Sequence, residues 1–154
     1  FGIDISVKYF GVSDTSARID HLQIKVYYTE STLTQDSGIS RPDGDVTAEW
    51  ESSHAGDHAD LINETTLDTN DYIYTSSIAS NNITDEFSMG TFDILSSSVT
   101  EIQIKVYGKE ILDIDSTVNV YCGTWLGPKQ LDMSSTPVWH SYSWSGLDLT
   151  QSNW

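Results

Sequence analysis

The sequence contains a single cysteine, Cys122, so no disulfide bond can form within the chain and packing alone must stabilise the fold. Cys122 ends the apolar run Val118-Asn-Val-Tyr-Cys122. A small buried side chain is the simpler expectation there, and an intermolecular disulfide is the alternative. No apolar run approaches the roughly 18 residues of a membrane-spanning helix. We therefore expect no membrane insertion.

Basic residues are also scarce, with 7 Lys and Arg against 23 Asp and Glu, a formal net charge of −16. So acidic a chain is poorly suited to bind nucleic acid or an anionic membrane surface. Ser, Thr, Asn and Asp are abundant, and eight Tyr and five Trp are present. This composition is typical of extracellular β-proteins, so we expect an extracellular or cell-surface location.

Helical periodicity is missing as well, since no segment shows ten residues of clean 3.6-residue repeat. Seven or eight short runs of alternating apolar and polar residues recur instead, with turn residues between them. In a chain of 154 residues this pattern predicts one all-β domain, an antiparallel β-sandwich of jelly-roll type.

The first 28 residues read as a two-stranded hairpin with two apolar faces. The predicted apolar positions are Ile3, Ile5, Val7, Tyr9, Leu22, Ile24, Val26 and Tyr28. An isolated hairpin is only marginally stable in water, so it must dock into a larger sheet. That sheet could belong to the same chain or to a neighbouring subunit, in which case these eight residues form the subunit interface.

The rest of the chain divides into a predicted linker and a body. Residues 31–45 are polar and turn-rich, with Pro42-Asp-Gly44 as the clearest turn signal. We therefore predict three segments: a hairpin over 1–30, a linker over 31–45 and a sandwich body over 46–154.

Two runs resemble each other, residues 19–27 and residues 99–107, which share Gln-Ile-Lys-Val-Tyr. Long alternating strands of this kind suit the middles of the two packed sheets. Good amphipathic strands resemble each other for general reasons, and an old duplication is the alternative explanation.

Four stretches resemble jelly-roll modules that occur, often in tandem, in large surface proteins of bacteria and archaea and in phage appendages. They are Arg41 to Trp50, Asp71 to Ser76, Gln103 to Tyr107 and Trp139 to Trp144. In modules of that kind, two strands like residues 1–30 would close the module rather than open it. The resemblance thus implies a permuted repeat in an extracellular setting, and it carries no active site.

A permuted repeat suggests how such units would join. A sandwich body short of two strands exposes apolar surface and unpaired backbone edges, which a neighbour's strands would cover. Each subunit would give and receive one element, so the contact is head-to-tail and extends into a filament. We expect a structural subunit of a homopolymer, joined by strand exchange or by tandem repetition. The alternative is a carbohydrate-binding or adhesin module.

Several groups could bind ligands, although each also suits an ordinary surface loop. Asp43, Asp45, Asp68 and Asp71 offer oxygen ligands for Ca²⁺, the one cofactor that the sequence suggests. His54 and His58 lie close to two further carboxylates and could hold a metal. Asn63 and Asn82 begin N-glycosylation sequons. The five Trp could form a sugar-stacking platform, but a sandwich of this size needs most of them in its core.

No catalytic motif is present. The sequence has no Gly-x-Ser-x-Gly turn and no convincing Cys and His pair. Paired carboxylates occur in any chain with 23 acidic residues and therefore identify no reaction. We expect no enzymatic activity.

Overall fold

Strands account for most of the described chain. The computed structural model describes residues 2–7, 17–29, 35–75, 83–90, 98–110, 117–122 and 126–149. The strands are β1 Gly2–Val7, β2 Ala17–Thr29, β3 Gln35–Ser40, β4 Pro42–Ala48, β5 Glu51–Ser52, β6 Ile73–Tyr74, β7 Ile83–Met89, β8 Ser98–Glu110, β9 Thr117–Cys122, β10 Leu126–Asp132 and β11 Val138–Leu149. The one helical element in these ranges is a single 3-10 turn, Ala59–Leu61. None of the helical structure described here is long and apolar enough to cross a membrane.

Backbone pairing divides the strands into two antiparallel sheets. Sheet A has five strands in the order β10-β9-β1-β7-β4. Sheet B has six strands, with the order β11-β8-β2-β6-β5 and with β3 pairing on β2. At one side of the molecule the edge strands β10 and β11 meet, where the Trp144 indole N–H donates to the Gly127 carbonyl at 3.3 Å.

The two sheets share one hydrophobic core. Sheet A contributes Ile5, Phe87 and Val120, and sheet B contributes the alternating inward residues of its two long strands. These are Leu22, Ile24 and Val26 of β2 and Ile102, Ile104 and Val106 of β8, all 0% exposed. Burial on one face is what the two-residue period predicts. The all-β antiparallel prediction is therefore confirmed, while the jelly-roll type stays a prediction.

The predicted N-terminal hairpin is wrong, because its two strands do not pair with each other. β1 lies between β7 and β9 in sheet A. β2 lies in sheet B, where it pairs with β8 on one side and with β3 and β6 on the other. Alternation fixes which face of a strand is buried but not which strand is its neighbour. Residues 8–16 therefore join two sheets rather than two paired strands.

Most of the predicted linker is also strand. Residues 35–40 form β3, and 42–48 form β4 at the edge of sheet A; residues 31–34 lie outside the described ranges. The pairing of β4 with β7 shifts register twice, between Pro42 and Gly44 and again between Asp45 and Thr47. Bulged edge strands tolerate Pro, Gly and Asp, so β4 resembles a turn in its composition.

The two similar runs in the sequence lie side by side. Residues 19–27 belong to β2 and residues 99–107 to β8, and these strands pair along most of their length in sheet B. The expectation that they occupy the middles of different sheets is therefore wrong. Because both strands alternate in the same way, their apolar side chains lie on the same side of one sheet.

An irregularity in this central pair depends on one glycine. The β2 and β8 register shifts between Ile19 and His21, so the backbone at Arg18 approaches Gly108 closely. A Cβ atom on Gly108 would lie 2.2 Å from the Arg18 carbonyl oxygen and 3.1 Å from Met133 Cε. The first contact is with backbone, which cannot move without breaking the ladder.

We therefore expect Gly108→Ala to destabilise the fold by roughly 2 to 4 kcal/mol, because the added methyl group must displace β2 or β8. Gly127→Ala is the matched control, since a Cβ there meets nothing within 4 Å. The control should change the free energy of unfolding by less than about 0.5 kcal/mol. Urea unfolding followed by circular dichroism measures both, and equal values for the two variants would contradict the close approach.

Candidate functional site

Strand β1 fills a slot in the middle of sheet A, and this slot is the candidate subunit junction. Six residues of β1 align with β7 and five with β9, both antiparallel. Ile5 lies opposite Asp85 on one side and Val120 on the other, and its side chain is fully buried. Without β1, sheet A would divide into two pairs, β10-β9 and β7-β4, each with a newly unpaired edge.

The predicted interface residues that the structure describes are spread over both sheets. Ile5, Leu22, Ile24 and Val26 are fully buried in the chain's own core, and Tyr28 packs against it half-buried. For Ile3 and Val7 the structure describes the backbone, which pairs with β7 and β9, but not the side chains. Tyr9 lies outside the described residues. The interface side chains that the structure describes thus lie in or against the chain's own core, and they contact a second subunit only if strands are exchanged.

A buried carboxylate, Asp85, lies next to the β1 slot and fixes the segment that follows β4. Its Oδ1 accepts the backbone N–H groups of Glu49 at 2.6 Å and Trp50 at 2.9 Å. Its Oδ2 lies 2.6 Å from His58 Nδ1. Because a carboxylate only accepts, the imidazole N–H donates to it. Asp85 is 0% exposed, so these hydrogen bonds compensate its burial.

A second aspartate holds the other end of this segment. Asp45 Oδ2 accepts the His58 backbone N–H and Oδ1 accepts that of Ala59, both at 2.7 Å. The two N–H groups belong to the start of the 3-10 turn, where the backbone has no partner of its own. Asp45 and His58, which the sequence offered as metal ligands, thus serve as hydrogen-bonding groups in the described structure.

The sequence analysis missed Asp85, although a signal was present. In the run Ile83 to Met89, Asp85 shares the inward period with Phe87 and Met89. A charged residue on the apolar face of a strand indicates a buried polar contact.

We expect Asp85→Ala to destabilise the protein by on the order of 3 kcal/mol, because it leaves two backbone N–H groups and one imidazole N–H without a partner. The change Asp60→Ala, at an exposed position of the 3-10 turn, is the control and should have little effect. Urea unfolding measures the difference. A loss for Asp85→Ala no larger than that of the control would show that the network does not stabilise the fold.

The other predicted calcium ligands are not gathered into a site. Asp43 accepts the Ser88 hydroxyl at 2.6 Å, and Asp68 Oδ1 accepts the backbone and side-chain N–H groups of Asn70. Asp71 lies 3.1 Å from His54 Nδ1 in an exposed pair. Across the described ranges no group of three or more His, Cys, Asp or Glu side chains could hold a metal ion.

The two sequons differ in what the structure describes. The side-chain amide of Asn63 donates to the Pro42 carbonyl at 3.2 Å, so this nitrogen is already engaged in holding the loop against β4. Asn82 lies outside the described residues. Glycosylation stays a prediction at both positions.

Two of the three tryptophans that the structure describes lie in the core. Trp50 and Trp144 are buried, and each donates its indole N–H to a backbone carbonyl, of Ile83 and Gly127 respectively. Trp139 differs, because it is 42% exposed on the outer face of sheet B. Trp125 and Trp154 lie outside the described residues. Among the three tryptophans that the structure describes, Trp139 is the one exposed ring, and these three form no platform of several indoles.

Beneath Trp139 lies a buried pair of titratable groups, His21 and Glu64. The edge of the indole approaches the imidazole with centroids 5.2 Å apart. His21 Nδ1 lies 3.6 Å from Glu64 Oε2, beyond hydrogen-bonding distance, and has no hydrogen-bond partner among the described residues. No local pattern in the sequence indicates that His21 and Glu64 meet.

Burial favours the uncharged form of both groups. Loss of water raises the pKa of the Glu64 carboxyl to about 7, and the nearby carboxylates of Asp71, Asp68 and Asp20 add to the rise. Burial also lowers the pKa of His21, as do the positive charges of Arg41 and Lys105. Ionising either group therefore opposes folding.

The shifted pKa of Glu64 makes stability depend on pH. Between the unfolded value near 4.5 and the folded value of about 7, the folded chain binds more protons, so Glu64 weakens the fold as the pH rises through this window. We expect Glu64→Gln to gain stability over the natural chain progressively from pH 4.5 to 7 and then to level off. Urea unfolding across pH 4 to 8 measures this difference.

Asp57→Asn, an exchange of the same kind at an exposed position, is the control for the pH series. A stability difference between Glu64→Gln and the natural chain that stays constant across the window would contradict the buried, protonated carboxyl.

Comparisons with protein-family models, with curated proteins and with solved structures find no significant match for this chain. The functional argument therefore depends on the geometry described above.

Proposed function

We propose that the chain is a structural, non-catalytic subunit of an extracellular filament or surface appendage, joined head-to-tail to identical subunits by strand exchange or by tandem repetition. The observation that supports this proposal is the position of β1. It is the central strand of sheet A, and residues 8–16 connect it to β2 in the other sheet.

Exchange of β1 between subunits would reuse contacts that already exist within one chain. A neighbour's β1 would make the same two ladders with β7 and β9 and would bury Ile5 at the same place in the core. Exchange of an identical element is a low-cost route to association for this reason. If each subunit gives its β1 to the next, the contact is heterologous and the assembly stays open at both ends.

The exchanged element is the single strand β1 and not the whole hairpin predicted over residues 1–30. β2 pairs with β8 over most of its length and its apolar residues fill the core of the same chain, so it belongs to the body. An extracellular location is supported by the acidic, hydroxyl-rich composition. The resemblance to tandem jelly-roll modules is part of the same proposal.

Carbohydrate recognition is the second candidate function, and the exposed indole of Trp139 favours it. Lys105 Nζ lies 4.9 Å from the centre of this ring, and Tyr107 lies beside it with centroids 5.5 Å apart. An open aromatic face with polar neighbours suits stacking on a sugar ring. A monomeric chain that binds glycans through Trp139 would support this function over assembly.

Cysteine pairing across the slot tests the exchange. Asp4 and Glu86 are register partners on β1 and β7, and opposite residues of antiparallel strands lie about 4.5 to 5.5 Å apart at Cα, within reach of a disulfide. One chain carries Asp4→Cys and another Glu86→Cys, both with Cys122→Ala. After mixing, assembly and oxidation, we expect disulfide-linked chain pairs on a non-reducing gel.

The control mixture combines Asp4→Cys with Asp60→Cys, which is not a register partner of β1 and should give few linked pairs. A chain carrying both Asp4→Cys and Glu86→Cys supplies the contrary outcome. If it forms the bond only within single chains at every concentration that permits assembly, β1 remains in its own sheet and the exchange model is wrong.

A further inference from the structure

The long edge strand β11 has one backbone edge without a partner in the described part of the chain. β11 spans Val138–Leu149 and pairs with β8 alone among the described strands. The pairing is regular from Val138 to Ser145, and the register shifts only beyond that point, near Gly146. A regular edge of this length presents a row of N–H and C=O groups that can bind another strand.

The other edge strands carry features that discourage such pairing. β4 contains Pro42 and two register shifts, and β10 contains Pro128 and a register shift between Leu126 and Lys129. β5 has two residues and β3 has six. Bulges, prolines and short length are the usual means by which proteins protect sheet edges. β11 has none of them between Val138 and Ser145.

The side chains of β11 favour association as well. Three of the five exposed large hydrophobic residues of the described chain lie on it: Val138 at 40%, Trp139 at 42% and Tyr142 at 36%. The other two, Ile39 and Val46, lie on β3 and β4, the edges with shorter or interrupted pairing.

Charge indicates what the partner is. The chain has a net charge of −16, so two copies repel each other over most of their surface. β11 has no Lys or Arg and a single acid, Asp148. A second copy of the chain can therefore approach this strand with little repulsion. A basic partner is less suited to it, because Asp148, near the end of the strand, is the one acidic side chain on β11.

We infer that β11 is a docking edge for β11 of a second copy, in an antiparallel pair related by a twofold axis. The pairing joins two copies of sheet B into one continuous twelve-stranded sheet, six strands from each copy. A twofold contact closes on itself, so it links two subunits sideways and does not lengthen a filament. The inference is independent of the β1 exchange and adds a lateral contact to it.

Charge reversal on β11 tests this contact. Ser141 and Ser145 are exposed and lie on the outer face of β11, since both alternate with the inward Trp144. In a twofold antiparallel pair these positions face or flank the same positions of the partner, so like charges there oppose pairing. We expect Ser141→Lys with Ser145→Lys to weaken the dimer by about tenfold or more, and the corresponding Glu variant to do the same.

The decisive measurement is a mixture of the Lys and Glu variants. Analytical ultracentrifugation should show each variant alone as a monomer and the mixture as a dimer, because opposite charges then face each other across the junction. Exchange of β1 must be prevented in this measurement. All chains therefore carry Cys122→Ala together with Asp4→Cys and Glu86→Cys, and the two new cysteines form a disulfide bond within the same chain. The chains are refolded at high dilution, and the monomer fraction is isolated.

Thr65→Lys with Thr66→Lys adds the same two charges in an exposed loop and is the matched control. It should dimerise like the locked parent chain, and unfolding curves should show that all variants are folded. Three results overturn the inference: a locked parent that stays monomeric at about 100 μM, a Lys variant that dimerises as well as the control, or variants that do not combine when mixed.

Discussion

The two ladders of backbone hydrogen bonds that hold β1 between β7 and β9 are the constraint on which sheet A depends. They join the first strand to two strands from the second half of the chain, and Ile5 lies in the same core cluster as Phe87 and Val120. Sheet B has no comparable dependence on a single short strand, because β2 and β8 are each thirteen residues long and pair directly. The sandwich therefore combines a continuous sheet with one that is complete only while β1 is in place.

Local pattern predicted the strands well and their partners poorly. Alternation located β1, β2 and β8, because burial of one face imposes that period. It could not show that β1 and β2 belong to different sheets, since neighbours are chosen by the whole core. Pro42 and Gly44 place the first part of β4 in the predicted linker, and Pro128 lies in β10. Those residues accommodate bulges at sheet edges, where turn-type composition is compatible with strand.

The apolar residues of the candidate site were predictable from the sequence. Ile5, Leu22, Ile24 and Val26 were expected to need a core and have one. The polar half was not predictable in detail, because Asp85 with His58 and His21 with Glu64 are brought together across 27 and 43 positions of sequence, which no local pattern encodes. Asp43, Asp45 and Asp68, which were proposed for calcium, accept hydrogen bonds in the described structure, a role that spacing alone does not distinguish from metal binding.

The pairing of β1 with β9 also affects the order of events during folding. Ile3 aligns with Cys122, so this ladder closes a loop that runs from residue 3 to residue 122. Contacts of such long range form late, since the chain entropy of closing the loop must be overcome first. The β8 and β11 pair of sheet B joins residues that are closer in sequence, so this pair can form earlier. During that interval the half-finished protein presents vacant strand edges on β7 and β9, and at high local concentration the first β1 to arrive can come from another molecule. The choice between self-closure and polymer would then be made by the speed of folding rather than by the strength of the final contacts.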